Sequence, residues 1–257
     1  SYIDLTFVQE GVRNGRITDM GNSMEPNVER IMETMPDVLL PSLFENSGGY
    51  GRVGQLGIPI IPCADYMEAS PLARAEWMKF FGILFGVEER ADSLFRAVES
   101  AYLALCDSAA QTVHRPTLIV EQPYNGILHV PGGRSTMGLL YADAGADYVF
   151  RDRPESGSLP MALETVLEAA LGADVWLMKY NQPVPLTLTE LRTELPAYAQ
   201  FRAFQQGNVY GCHTTKSHFF EETPFHPERL LADLIHILHP ELGITANNSY
   251  FCKVKDQ

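Results

Sequence analysis

The chain has 257 residues, 46% of them hydrophobic and 20% charged, and its 19 basic and 32 acidic side chains leave a net charge of −13. That mix excludes a disordered chain, and the acidic excess, with no basic stripe to offset it, excludes a nucleic-acid backbone as partner. No apolar run reaches the ~18 residues of a membrane-spanning helix, and the opening SYIDLTFVQEGVRNG does not have the shape of a secretion signal.

Taken from the N-terminus, ERIMETM (29–35) reads as a helix, PDVLLPSLF (36–44) as a buried strand, and GQLGIPIIPCA (54–64) as a helix end followed by a second strand. Short continuous apolar strands between helical patterns indicate parallel sheet covered on both faces. Residues 70–113 then keep helical periodicity, started by Ser70 and Pro71 and broken once at Gly86. Beyond the break the helix runs for about 39 Å, with Leu94, Val98, Tyr102 and Leu105 as its apolar face.

From Pro116 the α/β pattern restarts. TLIVEQ (117–122) is a strand, PYNGILHVPGGRST (123–136) a loop, MGLLYADAG (137–145) a helix and DYVF (147–150) a strand. RDRPESGSLP (151–160) is a loop, ALETVLEAAL (162–171) a helix and DVWLMKY (174–180) a strand. Helices at LTLTELRTEL (186–195) and AYAQFRAFQQG (197–207), a strand at NVYGC (208–212) and a helix at HPERLLADLIHIL (226–238) complete the pattern. The expected fold is two α/β lobes with mainly parallel sheets, residues 1–70 and 116–257, joined by one long rigid helical region, 71–115.

One unit occurs twice: NVERIMETMPDVLL places Glu29 in a first helical turn and Asp37 before a strand, and ALETVLEAALGADVWL does the same with Glu164 and Asp174. Together with SPLARAEWMKFFGILFG, PGGRSTMGLLYADAGADYVFRD and QGNVYGC, in that order and spacing, the chain resembles the substrate-binding proteins of ABC importers with a rigid helical backbone, which handle iron-siderophores, haem and cobalamin. The resemblance spans residues 8 to 242 and rests on no chemically diagnostic motif. It departs at the start, because the chain begins downstream of the strand and helix that open the first lobe in that family.

The resemblance implies that Glu29 and Glu164 dock the protein onto arginines of a membrane permease dimer. The chemistry suits the role: a first-turn carboxylate is favoured by the helix dipole and can accept a bidentate arginine. Glu33 and Glu168, one turn on, read as a solvated face. It also implies a monomeric protein, periplasmic or lipid-anchored outside the cytoplasmic membrane, that binds a metal chelate between its lobes.

Ligands of open α/β lobes sit beyond the carboxyl ends of the strands. The loops there offer Phe44, Tyr50, Tyr66 and Met67 in the first lobe, and Tyr124, His129, Arg134, Arg151, Tyr180, His213 and His218 in the second. Aromatic rings suit the faces of a planar chelate and arginine its carboxylates. PGGRST lacks the spacing and lysine of a phosphate loop, and its glycines read as a turn before a helix capped by Ser135. The four cysteines (Cys63, Cys106, Cys212, Cys252) have no CxxC spacing and read as buried thiols, a Cys212–Cys252 disulfide staying open for an oxidising compartment. With no GxSxG, no HExxH and no clustered ligands, no catalytic residue, cofactor or resident metal is expected, and the chain reads as a non-enzyme. The alternatives are a non-transport ligand sensor and a metallocluster or chelatase-like enzyme with the same two-lobe fold.

Overall fold

The structure, a computed structural model, describes residues 3, 5–22, 25–42, 53–123, 127–246 and 250–256. It divides into two units, Ser1–Met67 and Glu68–Gln257.

The first unit opens with α1 (Thr6–Arg13), a helix the sequence pattern did not announce. An antiparallel pair, β1 (Gly21–Asn22) and β2 (Glu25–Pro26), leads into α2 (Val28–Thr34). The Asn27 side chain caps α2 by accepting the Arg30 N–H, which satisfies one of the orphan donors of the first turn. Ile31 of α2 packs with Val53 and Ile58 as a small core, with Leu39 and Ile60 against it. The two strands expected at 36–44 and within 54–64 contract to one parallel bridge, Leu39 to Ile60, with three ladder bonds: Leu39 N–H to Pro59 O, Ile61 N–H to Leu39 O and Cys63 N–H to Pro41 O. Pro36, Pro41, Pro59 and Pro62 flank that pairing and remove ladder donors, which keeps it short.

The second unit begins with two antiparallel-packed helices, α3 (Pro71–Leu84) and α4 (Glu88–Ala110). Ser70 caps α3 through the Ala73 N–H, Pro71 occupies the first turn, and Gly86 at φ +67 makes the break where it was expected. The buried face of α4 is Ala91, Phe95, Val98, Tyr102 and Ala109; Leu94, expected on that face, is exposed, one residue off the stripe that meets α3.

There follow β3 (Thr117–Val120), β4 (Leu128–Pro131), α5 (Thr136–Asp143), β5 (Asp147–Tyr148), β6 (Ser158–Met161), α6 (Leu163–Ala170) and β7 (Val175–Tyr180). The chain ends with α7 (Leu188–Glu194), a short α8 (Arg202–Gln205), β8 (Val209–His213), α9 (Phe219–Glu222), α10 (Pro227–Leu238) and β9 (Cys252–Lys253). The main sheet has the order β5-β3-β7-β8-β9, parallel except for β9. Its central strands carry no polar face: Leu118, Ile119 and Val120 of β3 and Val175 to Met178 of β7 are all buried, as a sheet covered on both sides requires.

Three further readings need correction. The loops expected at 123–136 and 151–160 contain an antiparallel ribbon, β4 on β6, with Val130 opposite Leu159. The helix expected at 197–207 is a 3-10 turn, Pro196–Gln200, then α8, because Phe201 turns extended and packs edge-on against Trp176 at 5.3 Å. The Cys212–Cys252 pairing is excluded by register: Cys252 lies opposite Gly211, so its side chain is on the Gly211 face and Cys212 points to the other. Cys212 is buried, Cys252 exposed, and both are free thiols, as are Cys63 and Cys106.

Candidate functional site

The parallel strands β5, β3, β7 and β8 end on one edge of the second unit, and the loops leaving that edge carry most of its distinctive chemistry. The residue after β3 is Glu121. It holds φ +67, which a non-glycine residue adopts at a penalty of about 1–2 kcal/mol. Its backbone is held on both sides: the N–H donates to Leu177 O at 2.7 Å, and the carbonyl accepts the Trp176 Nε1–H at 2.8 Å. Its carboxylate pairs with Lys179 of β7, both side chains being mostly buried. The Lys179 ammonium also lies over the Phe219 ring at 5.7 Å. Next to Glu121, the buried Gln122 Oε1 has no hydrogen-bond partner.

Two phenols stand near this pair. Burial, and then the Glu121 charge, push the hydroxyls of Tyr141 and Tyr148 well above the ordinary tyrosine range, so both stay protonated at neutral pH. Tyr148 donates to Pro131 O at 2.8 Å, and its ring packs on Tyr141 at 5.2 Å.

Tyr180, the last residue of β7, meets His213, the last residue of β8, edge-on at 5.2 Å. Gly211 makes room for this: a Cβ there would stand 2.9 Å from Tyr180 Cε1. Both His213 nitrogens are engaged. Nδ1 accepts the Lys216 N–H at 3.3 Å, which leaves Nε2 to donate to Gln182 O at 3.0 Å. His213 therefore presents a ring edge and no free nitrogen. His218, farther along the same loop, holds φ +49 and has a buried Nδ1 with no partner.

The remaining candidates of the second unit sit on the ribbon and its loops. His129 is on the exposed side of β4, opposite Pro160. Arg134 and Arg151 are exposed, and Arg151 pairs with Asp147. The two loops are clasped by Gly132 N–H to Gly157 O, Gly133 N–H to Arg153 O and Arg134 N–H to Glu155 O. The approach is so close that a Cβ at Gly133 would fall 1.9 Å from Arg151 O, and Ser135 caps α5 through the Gly138 N–H, as expected. Tyr66 and Met67, exposed on a 3-10 turn, belong to the first unit. Phe44, Tyr50 and Tyr124 lie outside the described residues.

Glu29 and Glu164 are exposed in the first turns of α2 and α6, with Glu33 and Glu168 exposed one turn on. The two aspartates of the repeated unit differ. Asp37 is exposed, whereas Asp174 accepts the Thr117 N–H at 2.9 Å and pairs with Arg202 at 2.7 Å, tying β3 and α8 to the start of β7.

Sequence reasoning missed the Glu121–Lys179 pair and Gln122. The signal was present as a charged residue closing each of two apolar strand runs, TLIVE and VWLMK. Among the described residues no group of three or more His, Cys, Asp or Glu is placed to hold a metal ion, and no helix is long and apolar enough to cross a membrane.

A family model described as periplasmic binding protein matches residues 6–215. An uncharacterized lipoprotein of Methanocaldococcus jannaschii is 28% identical over 253 residues, 96% of this chain; the chain spans 58% of that relative's length. Among solved structures, the periplasmic haem-binding protein RhuT of Roseiflexus sp. RS-1 superposes with a TM-score of 0.68 at 18% identity, over 89% of this chain and 85% of that one. A protein described as an ABC-type Fe3+-hydroxamate transport system, from Saccharomonospora viridis, gives 0.62 at 21% identity, over 81% and 70%.

Proposed function

The chain belongs to the periplasmic binding protein family, and from that premise we propose that it captures an iron or cobalt chelate, a ferric siderophore, haem or cobalamin, and delivers it to the permease of an ABC importer. The observation that carries this reading is the family match over residues 6–215, together with two solved relatives named for haem and for a ferric hydroxamate. The family and the haem-binding relative are named as binding proteins, so in this reading the chain acts by capture and release, and ATP is hydrolysed by its partner.

In this reading residues 1–70 and 116–257 are the two lobes and 71–115 the helical connector. The chelate rests against the strand ends of the second lobe, where Tyr180 and the His213 ring offer aromatic edges and Lys179, Arg134 and Arg151 offer positive charge. Glu29 and Glu164 receive the permease arginines, and the protein works as a monomer, periplasmic or lipid-anchored. The lipoprotein relative supports a location outside the cytoplasm.

The test is a visible-absorbance titration with haem, cyanocobalamin and a ferric hydroxamate, followed by thermal unfolding with each. One chelate is expected to bind with a sub-micromolar Kd and to raise Tm; at 100 Kd of free ligand the gain is about 2.7 kcal/mol. No spectral change and no shift with any of the three would remove chelate capture as the function.

A further inference from the structure

We infer that Lys179 is the anion-receiving group of the chelate site and that Glu121 is its resident counter-ion, exchanged for an acidic group of the incoming ligand. This inference rests on the chelate-capture reading and adds to it the ligand's charge: the cargo carries a carboxylate or a comparable anionic oxygen.

The argument starts from the backbone. Glu121 keeps a left-handed conformation although glycine would adopt it freely, and its peptide is pinned by Leu177 O and the Trp176 indole. Backbone strain of this kind persists only where the surroundings over-determine it. Here it directs the carboxylate across to Lys179 on the neighbouring strand. A lysine mostly buried at the end of a parallel sheet needs a counter-ion when no ligand is present, since an unpaired ammonium in that setting is strongly disfavoured. The Phe219 ring below the ammonium stabilises the cation whichever anion it faces.

A purely structural clip between β3 and β7 is the competing account. The sheet does not depend on such a clip there, because Glu121 N–H to Leu177 O and the Trp176 indole bond already hold the two strands at that point. The adjacent Gln122 Oε1, buried and with no donor among the described residues, is a second polar atom there that a ligand's hydrogen-bond donor would satisfy. Exchange needs no proton transfer: the ligand's anion takes the ammonium and the Glu121 carboxylate moves to water, so net charge is conserved at each step.

The experiment measures Kd for haem, haem dimethyl ester, ferric citrate and cyanocobalamin with the wild-type chain, Glu121→Gln and Lys179→Met, with Glu121→Asn, which tolerates the left-handed backbone, as the variant that guards against misfolding. Removing the counter-ion is expected to tighten an anionic probe, haem or ferric citrate, by about fivefold or more; Lys179→Met is expected to weaken the same probe by at least that factor. The esterified haem is expected to respond to neither change. Equal weakening of every probe by Glu121→Gln and Glu121→Asn overturns the exchange in favour of the structural clip. A wild-type chain that binds only an uncharged chelate overturns the exchange and leaves chelate capture standing, and one that binds neither these probes nor the ferric hydroxamate overturns both.

Discussion

Asp233 sits midway along α10 with one carboxylate oxygen accepting the Phe251 N–H at 2.8 Å and the other buried without a partner. Burial pushes its pKa from the ordinary 3.8 up to about 6, against the opposing pull of the Phe251 and Tyr250 N–H groups. Because the folded value is raised, the fold favours the protonated acid. The stability this group contributes is full below pH 3.8 and is lost as pH rises through 6. Asp233→Asn keeps an acceptor for Phe251 and cannot ionise. Its stability relative to wild type is therefore expected to improve by about 2 kcal/mol between pH 4.5 and pH 7.5, read from urea unfolding at both. A difference that is the same at both pH values would mean that Asp233 does not carry a raised pKa.

At the scale of elements, α2 shows how local chemistry and tertiary packing divide the work. Asn27 starts it and Glu29 suits its first turn, yet the helix ends on Met35 in the left-handed region (φ +44), with Met35 N–H bonded to Ile31 O and the side chain exposed. That position is one glycine fills best. Met35→Gly is expected to stabilise the chain by about 0.5–1 kcal/mol, whereas Met32→Gly, exposed inside the same helix, is expected to lose about as much. The denaturation midpoint of each variant checks this. The sequence announced the elements that local pattern controls: TLIV, VWLMKY and NVYGC as buried strands, Ser70-Pro71 and Ser135 as helix starts, and Gly86 as the break. It hid those set by distant partners. LHVP and SLPM carry prolines that argue against strand, and they pair only because the two loops are clasped face to face. Strand β9 is two residues long and exists because Asp233 and Val209 hold its neighbours. The Glu121–Lys179 pair was illegible for the same reason: the partners lie 58 residues apart, and only strand order and register bring them together.

At the scale of the molecule, the two units carry the proposed docking glutamates on unequal foundations. Glu29 rides on α2, whose described core is Ile31, Val53 and Ile58, while Glu164 rides on α6, which feeds Val166 and Ala170 into the extended core around Trp176. Both carboxylates are exposed, so neither holds up the fold, and their reversal should act on docking alone. Paired charges of this kind set orientation and encounter rate more than affinity, and exposed ones are screened within about 8 Å at physiological salt. With the importer reconstituted, Glu29→Arg combined with Glu164→Arg is expected to abolish ligand-dependent stimulation of its ATPase, each single reversal to weaken it, and rising salt to weaken the wild type in the same direction. Chelate affinity and Tm are expected to stay at wild-type values, and the Tm of Glu29→Arg is the stricter control because its unit has the smaller core among the described residues. Stimulation that survives the double reversal at low salt would take docking away from these two residues. A loss of stimulation that comes with a lowered Tm would instead assign the effect to the fold of the first unit.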